Sequence, residues 1–444
     1  MSRLRVTVAA DRMAAELHID AGPPAGAEQL RLALATAGVA HGVDAARLAA
    51  LAARLEDPLF TDHGTIARGT PARPGRDGRL ALEFAPAPLP GFRGADGSVD
   101  YRERAFLHPA AVGAVVARLL PPVPGQPGTC VLGRQLPAPP ARAAAVRLGP
   151  GVTLRSDADD TEDGAAIVAT RDGVVATPSD GIDVVPLYEH DGDVDLRCGN
   201  LHSHGAVAVR GDVATGFCVE ADGDVDVGGS VFGGTVLAGG SVRIGLGAMA
   251  GARVEAGGEL RCRHASNATL LAKGRITAHD ELVHCEVAAA AIELVEGRGH
   301  VLGGALRARD HVTVLRAGTP AGAATLLAAA DLTSERAELR RRQRQADHVE
   351  RRSQKAADRA AGPQRGGKVG RARAAASAAV TAERLELARQ LRELLRTAHV
   401  EVRTQLLPGV RVQLGTAGLT IDTERRGARF RWDDAAGTIV QEDP

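Results

Sequence analysis

SHGAVAV (Ser203–Val209), ADGDVDV (Ala221–Val227), AGGSVRI (Ala238–Ile244), AGGELRC (Ala256–Cys262), AKGRITA (Ala272–Ala278), AAAAIEL (Ala288–Leu294) and ARDHVTV (Ala308–Val314) are seven versions of one pattern. Their starts lie 18, 17, 18, 16, 16 and 20 residues apart. The fifth position is always apolar: Val207, Val225, Val242, Leu260, Ile276, Ile292 and Val312. The seventh is apolar too, and a polar or small residue separates the pair, the period of two expected of a half-buried strand. A further apolar residue sits two positions before most starts, at Val219, Val236, Val254, Leu270 and Leu306. Each unit therefore carries at least two short strands around an AxG corner, where glycine is expected to supply a positive φ. No unit buries its own apolar face, whereas stacked units share one core. The pattern predicts a parallel β-solenoid with one unit per coil; a Greek-key sandwich gives no reason for the same residue types to return at this interval.

Composition limits the remaining possibilities. The 444 residues allow two or three domains. Basic and acidic residues number 54 each, so the chain as a whole exerts no pull on nucleic acid or an anionic membrane. All but three of the basic residues are Arg, the lysines being Lys273, Lys355 and Lys368. Aromatic residues make up 2%, so the cores must be built from Val, Leu, Ile and Ala, which suits thin coils better than a large enzyme core. The N-terminal stretch has no apolar h-region and no window approaches a membrane span, so a cytoplasmic protein is expected. The five cysteines, Cys130, Cys198, Cys218, Cys262 and Cys285, form no CxxC pair and read as reduced, buried small hydrophobes.

The rest of the chain divides around the repeat. Residues 1–180 read as an α+β region: strands LRVTV (Leu4–Val8) and AAELHI, a helix from Glu28 closing at Gly38, and a second helix over about Asp44–Leu55 with Asp44 as N-cap. Gly- and Pro-rich short strands follow. The solenoid is expected over 181–330 and an antiparallel, coiled-coil-like helical hairpin over 331–399. Its second helix places Val380, Leu387, Leu391, Leu394 and Ala398 in a heptad seam. The matching rows of its first helix are Leu339, Ala346, Val349, Ser353, Ala356 and Ala360. Residues 400–444 return to strand alternation and are expected to dock back on the solenoid, capping an exposed edge.

Several runs carry a resemblance: AGPPAGAEQLRLALATAGVAHGVDAARLAAL (Ala21–Leu51), IARGTPARPGRDGRL (Ile66–Leu80), VDYRE (Val99–Glu103), PPVPGQPGTCVLG (Pro121–Gly133) and GNLHSHGAVAVRGDVATGFCVEADGDVDVGGSV (Gly199–Val231). In this order they resemble the bacterial flagellar assembly protein A family over nearly the whole chain. The resemblance implies a cytoplasmic role connected with flagellar assembly or placement, and it brings no catalytic residues with it. Cys198 stands where that family usually has a small hydroxyl residue.

Candidate chemistry is sparse. Cys198, His202 and His204 lie in CGNLHSH, but no second cluster with zinc-ligand spacing accompanies them. The acidic run SDADDTEDG (Ser156–Gly164) lacks calcium-loop spacing and reads as a solvated loop. GxSxG, Walker A and HExxH motifs are absent, and no GxG piece sits between a buried strand and a helix. No metal, cofactor or catalytic residue is therefore expected. Left-handed hexapeptide acyltransferases have coils of similar length, but strict hexapeptide spacing fails here, leaving a solenoid enzyme as a remote alternative. The most charged stretch, residues 335–373, holds thirteen basic and five acidic residues, net +8. Within it Arg340, Arg341, Arg344, Arg351 and Arg352 are the candidate partner contacts. The expected function is a non-enzymatic scaffold that binds protein partners through the N-terminal region or the hairpin. The alternative is a polyanion-binding module, for nucleic acid or anionic membrane, through the basic hairpin.

Overall fold

A computed structural model describes residues 3–155, 164–332, 341, 385–386 and 388–443. The chain forms two compact units whose sequences interleave. The first comprises Met1–Phe84, Gly113–Ala169 and Thr177–Asp183, and the second Ala85–Val112, Thr170–Ala176 and Val184–Pro444.

In the first unit, β1 (Leu4–Val8), β2 (Ala14–Ile19) and β3 (Asp62–Arg68) make an antiparallel sheet in the order β1-β2-β3. Between β2 and β3 run α1 (Ala27–Thr36) and α2 (Ala45–Arg54). Asp44 caps α2, its carboxylate accepting the Arg47 N–H at 2.9 Å, and Gly38 follows α1 with φ +75°, as a helix-closing glycine should. Alternation sorts β2 by face: Ala15, Leu17 and Ile19 are buried against Leu30, Leu34 and Leu51, while Glu16 and His18 point away from that core. A second antiparallel sheet joins Arg79–Leu82, Val115–Leu120, Ala165–Ala169 and Val152–Arg155.

The second unit is a parallel β-solenoid of about 8 turns. Val207, Val225, Val242, Leu260 and Ile276 stand in one continuous register, and Ile292, Val312 and Val400 in another stretch of it. A second column runs Leu201, Val219, Val236, Val254, Leu270, Val287, Leu306, Leu327 and Val412. All of these residues are buried, so the repeat pattern marks the core column by column. Each coil also has a third strand position. Val194, Val213, Val231, Ala248, Ala265, Leu282 and Val301 form a third buried column.

The corner glycines serve a different purpose from the one expected. Gly223, Gly240, Gly258 and Gly274 do not adopt positive φ. They are small because the coils stack closely: a Cβ on Gly240 would lie 2.2 Å from the Asp224 carboxylate and one on Gly274 2.8 Å from the Gly258 carbonyl oxygen, while at the preceding position a Cβ on Gly239 would lie 2.2 Å from the Asp222 carbonyl oxygen and one on Gly257 1.9 Å from that of Gly239. Left-handed backbone is concentrated at another corner, where Gly216, Gly233, Ala250, Asn267, His284 and Gly303 all have φ between 49° and 81°. Polar corner residues extend the ladder, each holding the next coil. Asp193 accepts the Asp212 N–H at 2.8 Å, Asp212 that of Ser230 at 2.6 Å and Asp224 that of Ser241 at 2.7 Å.

Strand His399–Leu406 pairs in parallel with His300–Ala317, and Val410–Leu414 with Thr325–Ala329. Antiparallel strands Ala417–Ile421, Arg425–Asp433 and Thr438–Glu442 follow. Most of the expected hairpin, including Val380, Leu387 and the whole first-helix seam, lies outside the described residues. The end of its second helix is described: Leu391 and Leu394 pack against the solenoid core, and Leu395 and Ala398 are buried in it. Among the described residues no helix is long and apolar enough to cross a membrane.

Candidate functional site

Two places in the solenoid unit gather polar chemistry, and each follows from how the coils stack. The first joins two of the motifs quoted above. Gly199 and Asn200 reach the strand Leu201–Ser203 through a left-handed turn at Gly199, φ +77°. A Cβ on Gly199 would meet the Arg102 carbonyl oxygen at 2.3 Å, so VDYRE lies directly on the GN turn. The Asn200 N–H donates to that carbonyl at 2.7 Å, and the Asn200 amide donates to Glu103. On the coil face, His202 is set between two carboxylates, Nδ1 3.1 Å from Glu220 and Nε2 3.3 Å from Glu103. His204, two residues on, contacts Asp222 at 2.7 Å.

The residues of CGNLHSH are therefore directed apart. Cys198 is buried, with its thiol pKa raised by that burial and its S–H directed at backbone carbonyls. The two imidazoles each engage a different carboxylate of the next coil. Burial likewise pushes the thiol of Cys218 up to about 11 and that of Cys262 up to about 12. Both stay protonated at neutral pH, a poor state for nucleophilic attack or metal ligation. Glu103 is the residue that sequence reasoning missed: it lies in a quoted motif, but nothing local indicates that it pairs with residues about a hundred positions later.

The second place is a groove of about 960 Å³ along the AxG corners. Its lining includes Ala238, Gly239, Ala256, Gly257, Ala272 and Ala289, corner positions with methyl groups or none. Its rim carries Lys273, Arg307 and Arg309 with Glu255 and Asp331. Arg309 is ion-paired with Asp310 at 3.1 Å. The lining includes neither imidazole nor thiol and combines small apolar side chains with the cations of Lys273, Arg307 and Arg309.

Of the sequence-derived contact residues, Arg340, Arg344, Arg351 and Arg352 lie outside the described residues, as do positions 156–163 of the acidic run. Arg341 is described as helical and exposed.

Two family models match the chain. The flagellar assembly protein A N-terminal region matches residues 4–178, and the flagellar assembly protein A beta solenoid domain matches residues 186–437. Neither a curated protein nor a solved structure matches it.

Proposed function

The chain belongs to the flagellar assembly protein A family, and from that premise we propose that it is a non-enzymatic cytoplasmic scaffold that holds protein partners on a stiff β-solenoid. The observation that carries this reading is the corner groove. It is an apolar trough rimmed by Lys273, Arg307 and Arg309, built on three columns of fully buried residues that give it a rigid back. It ends at Asp331, beside the start of the expected hairpin. A partner segment with small side chains and carboxylates fits it, and the hairpin and the N-terminal region offer further surface. The test is genetic. Loss of the gene from its source organism should change the number or placement of flagella, and wild type but not Lys273→Glu/Arg307→Glu should restore them. A null strain with normal flagella would remove the reading.

The net charge of +8 over residues 335–373 supports a second reading, binding of a polyanion. A salt titration against DNA and anionic liposomes separates the two. Binding that weakens steeply with salt and needs residues 335–373 supports it, while equal and negligible binding with and without them removes it. No group in the groove favours an acyltransferase.

A further inference from the structure

We propose that Glu16, His18 and His63, on the outer face of the N-terminal sheet, form a binding site for a divalent transition-metal ion, with Zn²⁺ the first choice. The three side chains offer ligand atoms that all lie within 4.8 Å of one another. They meet because of register. β2 and β3 are antiparallel with His18 directly opposite His63, and Glu16 precedes His18 by two residues, so it shares that face. The register is over-determined from the other side: a slip of one residue would expose Ala15, Leu17 and Ile19, now 0–2% exposed, and bury the three polar groups. An irregularity between Ala15 and Glu16 sets Glu16 opposite Thr65 rather than Ile66, and such bulges re-aim side chains.

The two ring nitrogens converge. The two Nδ1 atoms are 2.8 Å apart, with the rings tilted at 39° and their centroids separated by 4.1 Å. At that distance the two rings share a hydrogen bond, one Nδ1 donating to the other. A zinc ion bonded to both at about 2.0–2.1 Å would hold them roughly 3.3 Å apart in tetrahedral geometry. A small rotation of either ring reaches that separation. Glu16 stands 4.0 Å from His18 Nε2, on the other side of that ring from the Nδ1 pair, and supplies negative charge beside it. Two imidazoles and one carboxylate suit zinc, cobalt or nickel, whereas magnesium and calcium take oxygen ligands. Both His18 and Glu16 are partly open to solvent, which leaves room for water as the fourth ligand.

The surroundings are compatible with this. Asp62, next to His63, is held by Arg47 at 2.9 Å and is not free to displace Glu16. Arg5 is opposite His18 on β1. His202, His204 and His311 are each engaged with a carboxylate of a neighbouring element. A bound ion would tie β2 to β3 and stiffen the sheet.

The experiment uses the full chain stripped with chelator. Zn²⁺ is titrated by calorimetry and Co²⁺ by visible absorption, both in excess Mg²⁺. One site per chain is expected, with affinity falling about tenfold or more in His18→Gln and in His63→Gln. A smaller loss is expected in Glu16→Gln, and none in Cys218→Ser. Zn²⁺ should raise the melting temperature of wild type and leave that of His63→Gln unmoved. Because the three side chains lie on an outer face, the metal-free variants should melt as wild type does, which separates lost ligation from lost folding. Absence of stoichiometric Zn²⁺ binding would overturn the proposal, and so would unchanged affinity in the folded His18→Gln and His63→Gln variants.

Discussion

At the scale of single residues, His399 shows how the stack sets a titration. Its ring lies against that of His311, parallel within 3° and 5.2 Å away, because strand His399–Leu406 adds to His300–Ala317 with these two residues in register. Burial lowers its pKa below the ordinary histidine value, helped by the neighbouring Arg429 and His311. The folded state thus prefers neutral imidazole, and below about pH 6.5 the unfolded chain takes up a proton that the folded chain resists. The associated stability is present above that pH and is lost as pH falls toward the folded-state value. In thermal melts between pH 7 and 5, His399→Gln should lose less stability than wild type, by at most one proton's worth of slope. Parallel pH profiles for the two proteins would show that the ring is not held neutral.

At the scale of the coil, the decisive contact is backbone on backbone. Gly239 and Gly257 occupy successive corners with no room for a methyl group, since the neighbouring carbonyl oxygen lies where Cβ would go. Gly257→Ala must separate two coils or shift one, a strain of roughly 1–3 kcal/mol on the scale of overpacked cores. Denaturant unfolding should record a loss of that size, and a variant as stable as wild type would show that the coils are looser than the register implies. The surface ion pairs between coils, such as Arg243–Asp226 at 3.2 Å and Arg263–Asp280 at 2.9 Å, add little beside this, because exposed pairs are solvated and screened. They help align coils whose stability comes from the buried columns.

At the scale of the whole molecule, the stretch 333–384 is flanked in sequence by strands that belong to the β body, Thr325–Ala329 before it and His399–Leu406 after it. Replacing those residues with a short Gly/Ser linker, while keeping the buried Leu395 and Ala398, should leave the main unfolding transition nearly unchanged. Loop length enters only logarithmically, at about 0.6 kcal/mol per doubling. Calorimetry checks this, and loss of the transition would mean that the stretch is part of the core. The two principal strand columns and the Asp44 cap were legible in the chain itself, because each depends on neighbours two to four residues apart. The third column was not: Ala248 and Ala265 carry no apolar signal of their own and are core only because coils lie above and below them. Glu103 beside His202, and His18 opposite His63, were equally hidden. The amino-acid sequence alone determined that there is a repeat, its period and which residues face inward, since alternation along one strand is local chemistry. The tertiary structure decided what stacks on what: why the corner glycines must be small, which unit takes Ala85–Val112, and which polar groups meet. Those relations join residues 16 to about a hundred positions apart, and they come into being only when one strand is laid on another.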